Sequence, residues 1–343
     1  MNDLISAELK RSSEVISKID PVSIRKAADL ILASVRQGGQ IIFMGNGGSS
    51  ADAQHIAAEF SGKYAFDRPP MGGVCLSNIA PVTAIGNDYS YDLVFKRQVE
   101  AICRKGDVVV GLSTSGNSKN VILAMEAAKL KGATTISFTG DQGKMREIAD
   151  IAVIIPTKET PRVQEGYLVA CHTICGIVER EMFGIKAVLI DRDDTIVVNV
   201  PYCADPEKIR LLPGAAGSIK KLNDAGYKVI LVTNQSGIGR GLVTHEKLAE
   251  IHERLCQMIK AEGGCLDDIF YCPHHPDENC NCRKPAIGMG EQAFIKYPIN
   301  PLTSFMIGDQ EHDAQFGNKL GLKTFTVSEK FTFVDAVNEI LKN

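Results

Sequence analysis

Short apolar runs alternate with longer segments of helical period along the whole chain, and that rhythm points to a parallel sheet covered by helices on both faces. In the first half the runs read as strands at "QIIFMG" (40–45), "GVCLS" (73–77), "DVVVGLS" (107–113), "TTISFTG" (134–140) and "IAVIIP" (151–156). A long helical segment from about Arg162 to Phe183 closes this series, and Gly184 ends it. The rhythm then restarts with "KAVLID" (186–191), "YKVILVTN" (227–234), "IFYC" (269–272), "SFMIGD" (304–309) and "KTFTV" (323–327). A length of 343 residues leaves room for two cores at roughly 150 residues each. The expected fold is α/β throughout: two three-layer parallel-sheet domains, residues 1–185 and 186–343, with almost no linker.

Charge narrows the partners. The formal net charge is −3 with both signs spread along the chain, so neither a basic nucleic-acid face nor a polybasic membrane segment is expected. The N-terminal "MNDLISAELKRSSEVISKI" has helical spacing without a signal-peptide core, which points to a soluble cytoplasmic protein. In such a compartment the ten cysteines read as thiols or metal ligands rather than disulfides. Cys75, Cys103, Cys171, Cys175, Cys203 and Cys256 lie among apolar neighbours, Cys265 stands alone, and Cys272, Cys280 and Cys282 cluster.

In the first half two strands empty into Gly/Ser loops that open helices, "MGNGGSSADAQH" (44–55) and "GLSTSGNSKNV" (111–121). Each loop offers backbone N–H groups, hydroxyls and a helix N-terminus, a combination suited to anions. One such loop is often only a tight turn; two at neighbouring strand ends point to a phosphorylated ligand at the carboxyl edge of the sheet. On the helix after the first loop, His55 and Glu59 project from one face, and Gln164 and His172 do nearly the same on the closing helix. An isolated pair of this kind is commonly a plain surface or core contact. The four together form an N/O set suited to Zn²⁺ or a similar divalent ion. Glu59 and His172 would also make an acid–base pair able to move protons between adjacent carbons.

Through "GNGGSSADAQHIAAEFSGKY", "IGNDYSYD", "LSTSGNSKNV" and "RVQE" followed by His172, residues 1–185 resemble the phosphoheptose isomerases. These are flavodoxin-like enzymes of the sugar isomerase (SIS) fold, which convert sedoheptulose 7-phosphate to D-glycero-D-manno-heptose 7-phosphate. The resemblance implies that Asn46, Gly47, Gly48, Asn87, Asp88, Ser113, Thr114, Ser115 and Ser118 hold the sugar phosphate. It further implies that His55, Glu59, Gln164 and His172 hold zinc, that Glu59 and His172 exchange protons through an enediol-like intermediate, and that the protein is a homotetramer. Some relatives of the fold only bind sugar phosphates; the presence of all four candidate zinc ligands argues against that reading.

In the second half "VLIDRDDTIV" starts at Val188 as a buried strand and ends by presenting Asp191 and Asp193. That pattern suits phosphoryl transfer through an aspartyl-phosphate, in which one carboxylate attacks phosphorus and the other protonates the leaving oxygen beside Mg²⁺. Further strand ends supply Thr233 and Asn234 for phosphoryl oxygens, Lys284 for their charge and Asp309 for the metal. The series resembles the haloacid dehalogenase (HAD) superfamily over residues 186–343 and implies a capless Rossmannoid domain. By that resemblance Asp191 is the nucleophile and Asp193 the general acid/base. Asp191, Asp193 (through its carbonyl) and Asp309 bind Mg²⁺, and Asp313 supports the metal shell or Lys284. Arg283, with Asn199, Tyr202 and Arg240, would meet the rest of the substrate.

"YCPHHPDENCNCRKP" spaces Cys272, His274, Cys280 and Cys282 so that three thiolates and an imidazole can close a structural Zn²⁺ shell. Family spacing favours His274 over His275 as the ligand. Among HAD enzymes the clip is found in D,D-heptose 1,7-bisphosphate phosphatases and in histidinol-phosphate phosphatases. The short clip loop matches the latter and bears on substrate and anomer preference; Asp194 stands where the former have Gly, a position Asp tolerates.

The fusion favours the heptose substrate: one chain would catalyse the first and third steps of nucleotide-activated heptose synthesis, for lipopolysaccharide, capsule or another glycan. The intervening kinase is expected as a separate protein. The alternative is a sugar-phosphate-binding regulatory domain fused to a histidinol-phosphate-type phosphatase.

Overall fold

The inner strands of both series are buried and largely apolar because helices cover them on two faces, whereas the edge strands are partly exposed. In the computed structural model, which describes residues 2–342, the polypeptide separates into one unit ending at Met182 and a second beginning at Phe183. The first unit holds Ile41–Gly45 (β1), Gly73–Cys75 (β2), Val108–Ser113 (β3), Thr134–Gly140 (β4) and Ile151–Ile155 (β5). Every residue of β1 and β3 is buried. These strands are parallel in the order β2-β1-β3-β4-β5, with Gly45 opposite Leu112. The chain thus winds in opposite directions from the β1–β3 seam, and the loops that follow those two strands open beside one another at this switch point.

Helices close both faces. Pro21–Arg36 starts where the Asp20 carboxylate accepts from the amides of Val22 and Ser23 and proline occupies the first helical position. Val94–Ile102 and Lys119–Leu130 pack Val94, Val99, Val121 and Met125 against Ile42, Met44 and Val109. The helix Gly48–Ser61 buries Phe60, whose ring stacks on Phe43 of β1 at 5.8 Å between centroids. Thr160–Phe183 is the longest helix, and no helix among the described residues is long and apolar enough to cross a membrane.

The second unit holds Ala187–Ile190 (β6), Lys228–Asn234 (β7), Asp268–Cys272 (β8), Phe305–Gly308 (β9) and Lys323–Thr326 (β10), parallel in the order β10-β9-β6-β7-β8. Ile190 lies opposite Leu231 on one side and Ile307 on the other, so the switch point falls between β6 and β9. Two apolar layers flank the sheet: Ile219, Leu222, Ile251, Leu255 and Val337 on one face, and Met289, Ala293, Phe316 and Leu322 on the other. The carboxyl ends of β6, β7 and β9 therefore meet at one edge, followed by Asp191, Gln235 and Asp309.

Candidate active sites

At the seam of the first sheet the two Gly/Ser loops are tied by a reciprocal amide pair. Asn46 and Asn120 each donate to the other's side-chain oxygen at 2.9 Å, and the Tyr91 hydroxyl adds a bond to Asn46 at 3.0 Å. Gly47 caps the helix Gly48–Ser61. A Cβ on Gly48 would stand 2.6 Å from the Gln164 side-chain amide, so a larger residue there would push that amide aside. In the second loop the Ser113 hydroxyl lies 2.8 Å from Ser118 and 3.5 Å from Ser115, Ser115 accepts from the Asn117 amide, and the Thr114 carbonyl accepts from Gly140. Asn87 and Asp88 end the helix Ile79–Asp88, exposed, and bond to each other; among the described residues no hydrogen bond joins them to the two loops.

One face of Gly48–Ser61 and one of Thr160–Phe183 bring His55, Glu59 and His172 together, with one ligand atom of each within 4.8 Å of the others. The two imidazole Nε2 atoms stand 2.9 Å apart, and Glu59 lies 3.5 Å from His55. Burial, then the neighbouring His55, hold the His172 imidazole below its ordinary pKa against the pull of Glu59. Tyr64 stacks on His172, and its loop hangs from the buried Glu179, which accepts the amides of Tyr64 and Ala65 and pairs with Arg68 at 3.0 Å. Arg68 in turn donates to the carbonyl of Glu59 at 2.7 Å. Gln164 turns its amide nitrogen to Asp52 at 2.7 Å, and the buried Tyr167 hydroxyl shares that carboxylate. Sequence reasoning passed over Asp52, although it lies three residues before His55 and seven before Glu59 on the same helical face.

The second site is built in the core. Lys284 reaches Asp191 and Asp313 at 2.6 Å each and the Val232 carbonyl at 2.7 Å, its side chain wholly buried. Burial opposes the ammonium, but the two carboxylates outweigh it and hold its pKa above the ordinary value. Burial lifts the Asp191 carboxyl to about 6, with Lys284 opposing and Asp313 reinforcing. Asp313 comes this close because β9 ends in glycine: a Cβ on Gly308 would sit 2.4 Å from its carboxylate. Asp191, Asp309 and Asp313 form a second group able to hold a cation, and Gln310 bonds to Asp309. The all-oxygen donor set suits a hard ion such as Mg²⁺.

A cavity of about 210 Å³ over these residues is lined by Asp191, Asp193, Thr233, Asn234, Arg283 and Asp309, among others, and the Arg283 Nη1 atom is buried without a partner. A further hollow of about 280 Å³ is lined by Asn199, Tyr202 and Gln235, with Asp193, Asn199 and Asn234 common to both. The Arg240 guanidinium lies over the Tyr202 ring. Asp194 has φ of +55° and accepts from the backbone and side-chain nitrogens of Asn199. His312, which sequence reasoning did not single out, also lines the first cavity.

Between β8 and Lys284 the chain folds Cys272, His274, Cys280 and Cys282 onto one point. Their contacts run from 3.2 Å (His274 Nδ1 to Cys282) to 3.6 Å (Cys272 to His274 Nδ1), near the edges of a tetrahedron whose zinc bonds are about 2.0–2.3 Å. Burial raises Cys280, but bonds from Cys282 and Cys272 outweigh it and bring that thiol down to about 7. His275 points elsewhere, its imidazole accepting from the Asp277 amide to cap the turn Pro276–Glu278.

Comparison with known proteins places these sites in context. Residues 6–140 match the SIS domain family, and residues 281–339 match a HAD-hydrolase-like family. Over 164 residues the chain is 50% identical to phosphoheptose isomerase of Burkholderia pseudomallei, spanning 47% of this chain and 83% of that protein. Among solved structures, phosphoheptose isomerase from Neisseria gonorrhoeae is 38% identical, covering 52% of this chain and 98% of its own with a TM-score of 0.49. D,D-heptose 1,7-bisphosphate phosphatase from B. bronchiseptica, solved with magnesium and phosphate, is 28% identical, covering 46% of this chain and 99% of its own at 0.41.

Proposed function

Because the chain belongs to the phosphoheptose isomerase family through its N-terminal domain, we propose that it is a bifunctional enzyme of nucleotide-activated heptose synthesis. Residues 1–185 would isomerise sedoheptulose 7-phosphate to D-glycero-D-manno-heptose 7-phosphate, and residues 186–343 would remove the C7 phosphate of D-glycero-D-manno-heptose 1,7-bisphosphate. The observation that carries this reading is the presence, in one chain, of the His55–Glu59–His172 group and the buried Asp191–Lys284–Asp313 core.

In the isomerase site the hydroxyls of Ser113, Ser115 and Ser118, the Thr114 backbone and the amides at Gly47 and Gly48 cradle the phosphate, with Asn46, Asn87 and Asp88 on the sugar. Glu59 takes a proton from the carbon beside the carbonyl, and His172 moves a proton between the two oxygens as an enediol-like intermediate forms and collapses. His55, Glu59, Gln164 and His172 would hold zinc, which when bound polarises the carbonyl.

In the phosphatase site Lys284 holds Asp191 as a fixed nucleophile and balances phosphoryl charge, Thr233 and Asn234 bond its oxygens, and Arg283 binds the remaining phosphorylated sugar. Asp193 protonates the leaving oxygen and then takes a proton from the attacking water. Asp191, Asp309 and the Asp193 carbonyl would hold Mg²⁺, which when bound neutralises charge between phosphate and carboxylate. Cys272, His274, Cys280 and Cys282 would hold a structural zinc that stiffens the loop leading into Arg283 and Lys284. The protein would work in the cytoplasm as a homotetramer assembled through the isomerase domain, with a separate kinase supplying the bisphosphate.

The test is to incubate the protein with sedoheptulose 7-phosphate, add a heptose kinase and ATP, and follow phosphate release. Release that requires the kinase is expected; none, with the kinase shown to be active, rejects the bifunctional reading.

A further inference from the structure

Asp193 is not a free carboxylate. The Arg192 side chain, 3% exposed, binds both of its oxygens, with Nη2 at 2.8 Å and 3.1 Å and Nε at 3.2 Å. Gln235 donates from one nitrogen to Asp193 at 3.1 Å and to the Thr233 hydroxyl at 2.9 Å, while its oxygen accepts from Arg192 at 3.0 Å. The Gln235 backbone is fixed in turn, its amide donating to the Cys272 carbonyl at 2.8 Å. The three side chains close a ring of hydrogen bonds with one exit, to Thr233 in the phosphoryl cavity.

We propose that Gln235 and Arg192 are positioning residues that aim Asp193 at the leaving oxygen. The inference rests on the phosphatase reading. In the step concerned, an Asp191 oxygen forms a bond to phosphorus, the bond from phosphorus to the sugar oxygen breaks, and the Asp193 proton passes to that oxygen. The carboxylate left behind is the form that the ring of donors fits: three N–H contacts from Arg192 and one from Gln235. Gln235 also holds Thr233, which lines the cavity assigned to the phosphoryl group. The clamp therefore matters most where the leaving oxygen is strongly basic.

A leaving group that needs no proton separates this role from a structural one. In the full chain with Mg²⁺, Gln235→Leu is expected to lower kcat/KM for D-glycero-D-manno-heptose 1,7-bisphosphate by about 10- to 30-fold, a fraction of what a general acid supplies. For 4-nitrophenyl phosphate, whose leaving group departs as a stable anion, the loss should stay within about threefold. Because kcat/KM reports only steps through departure of the leaving group, the later attack of water does not enter the comparison. Arg192→Lys, which keeps the buried charge, should shift the same ratio in the same direction by about 3- to 10-fold. The Mg²⁺ concentration at which each protein is half-stabilised in thermal unfolding should not move.

Equal losses on both esters would overturn the proposal in favour of a structural role, and no loss on the bisphosphate would overturn it outright. A Mg²⁺ midpoint that shifts in step with the sugar-phosphate loss would assign the residues to the cation shell instead. A parent protein that releases no phosphate from the bisphosphate sinks the phosphatase reading, and this inference with it.

Discussion

The His55 side chain of the first site is 48% exposed, whereas Lys284 of the second is entirely buried, and the two sites solve the same problem of gathering charge in opposite ways. The first mounts its groups on two helix faces, with His55 half exposed and Glu59 and His172 only partly buried, so water screens part of their interaction and a bound cation would complete the organising. The second mounts them at strand ends inside a core, where an ammonium between two carboxylates is already organised and each charge depends on its partners. Damage to the second site should therefore reach stability as well as activity, and damage to the first should stay chemical.

The largest expected effect breaks the second site. Lys284→Met leaves Asp191 and Asp313 facing one another without a cation, so phosphate release should fall by at least about 10³-fold. The C-terminal unit should also lose about 3–5 kcal/mol. Isomerase turnover within about twofold of the parent would uphold the contrast, and a parallel collapse of both activities would break it. Glu59→Gln makes the converse test: about 10²- to 10⁴-fold less isomerisation, with unchanged thermal unfolding of the metal-free protein and unchanged phosphate release. A large drop in melting temperature would show that the exposed site is structural after all.

Two smaller effects sharpen the contrast within the second unit. Cys280→Ser should remove one zinc per chain by elemental analysis and lower the C-terminal melting transition by on the order of 10 °C, leaving the N-terminal one in place. The last effect is read from pH. Burial, with help from Arg192, pushes the His252 imidazole down to about 3 from its ordinary 6.5. The folded protein then binds fewer protons than the unfolded chain between those values, so stability is complete above about 6.5 and is lost as pH falls. Going from pH 7 to pH 5, the His252 contribution should fall by about 2 kcal/mol, read as the difference between the parent and His252→Leu in urea unfolding of the C-terminal unit, because the raised Asp191 carboxyl works in the opposite direction over the same range.

The division into two parallel α/β units was legible because strands buried on both faces have no choice but to be apolar, and because Asp191, Thr233 and Asp309 sit where such strands end. That His55 and Glu59 share one face was legible from helical period; that His172, on a different helix, meets them was expected only from the family resemblance. The rest depended on where side chains turn once the backbone is set. Nothing in the spacing says that Asn46 pairs with Asn120 across the switch point, or that Gln164 gives its amide to Asp52. Gln235 follows two residues singled out for phosphate and looks like ordinary loop polarity until its amide is seen between Thr233 and Asp193. Arg192 is the same case: between two acidic residues it reads as surface charge, and it is buried.

Asn234 and Lys284 exchange a pair of hydrogen bonds, the Lys284 amide donating to the Asn234 side chain at 3.0 Å and that side chain returning one to the Lys284 carbonyl at 3.2 Å. The clip loop is thereby bolted to β7 at its exit, independently of what lies between its cysteines. Residues 275–279, between His274 and Cys280, take no part in this pair of bonds, so their composition can change while the ammonium stays at its post between the carboxylates. A cavity built this way can vary the loop at its rim without moving the lysine at its floor.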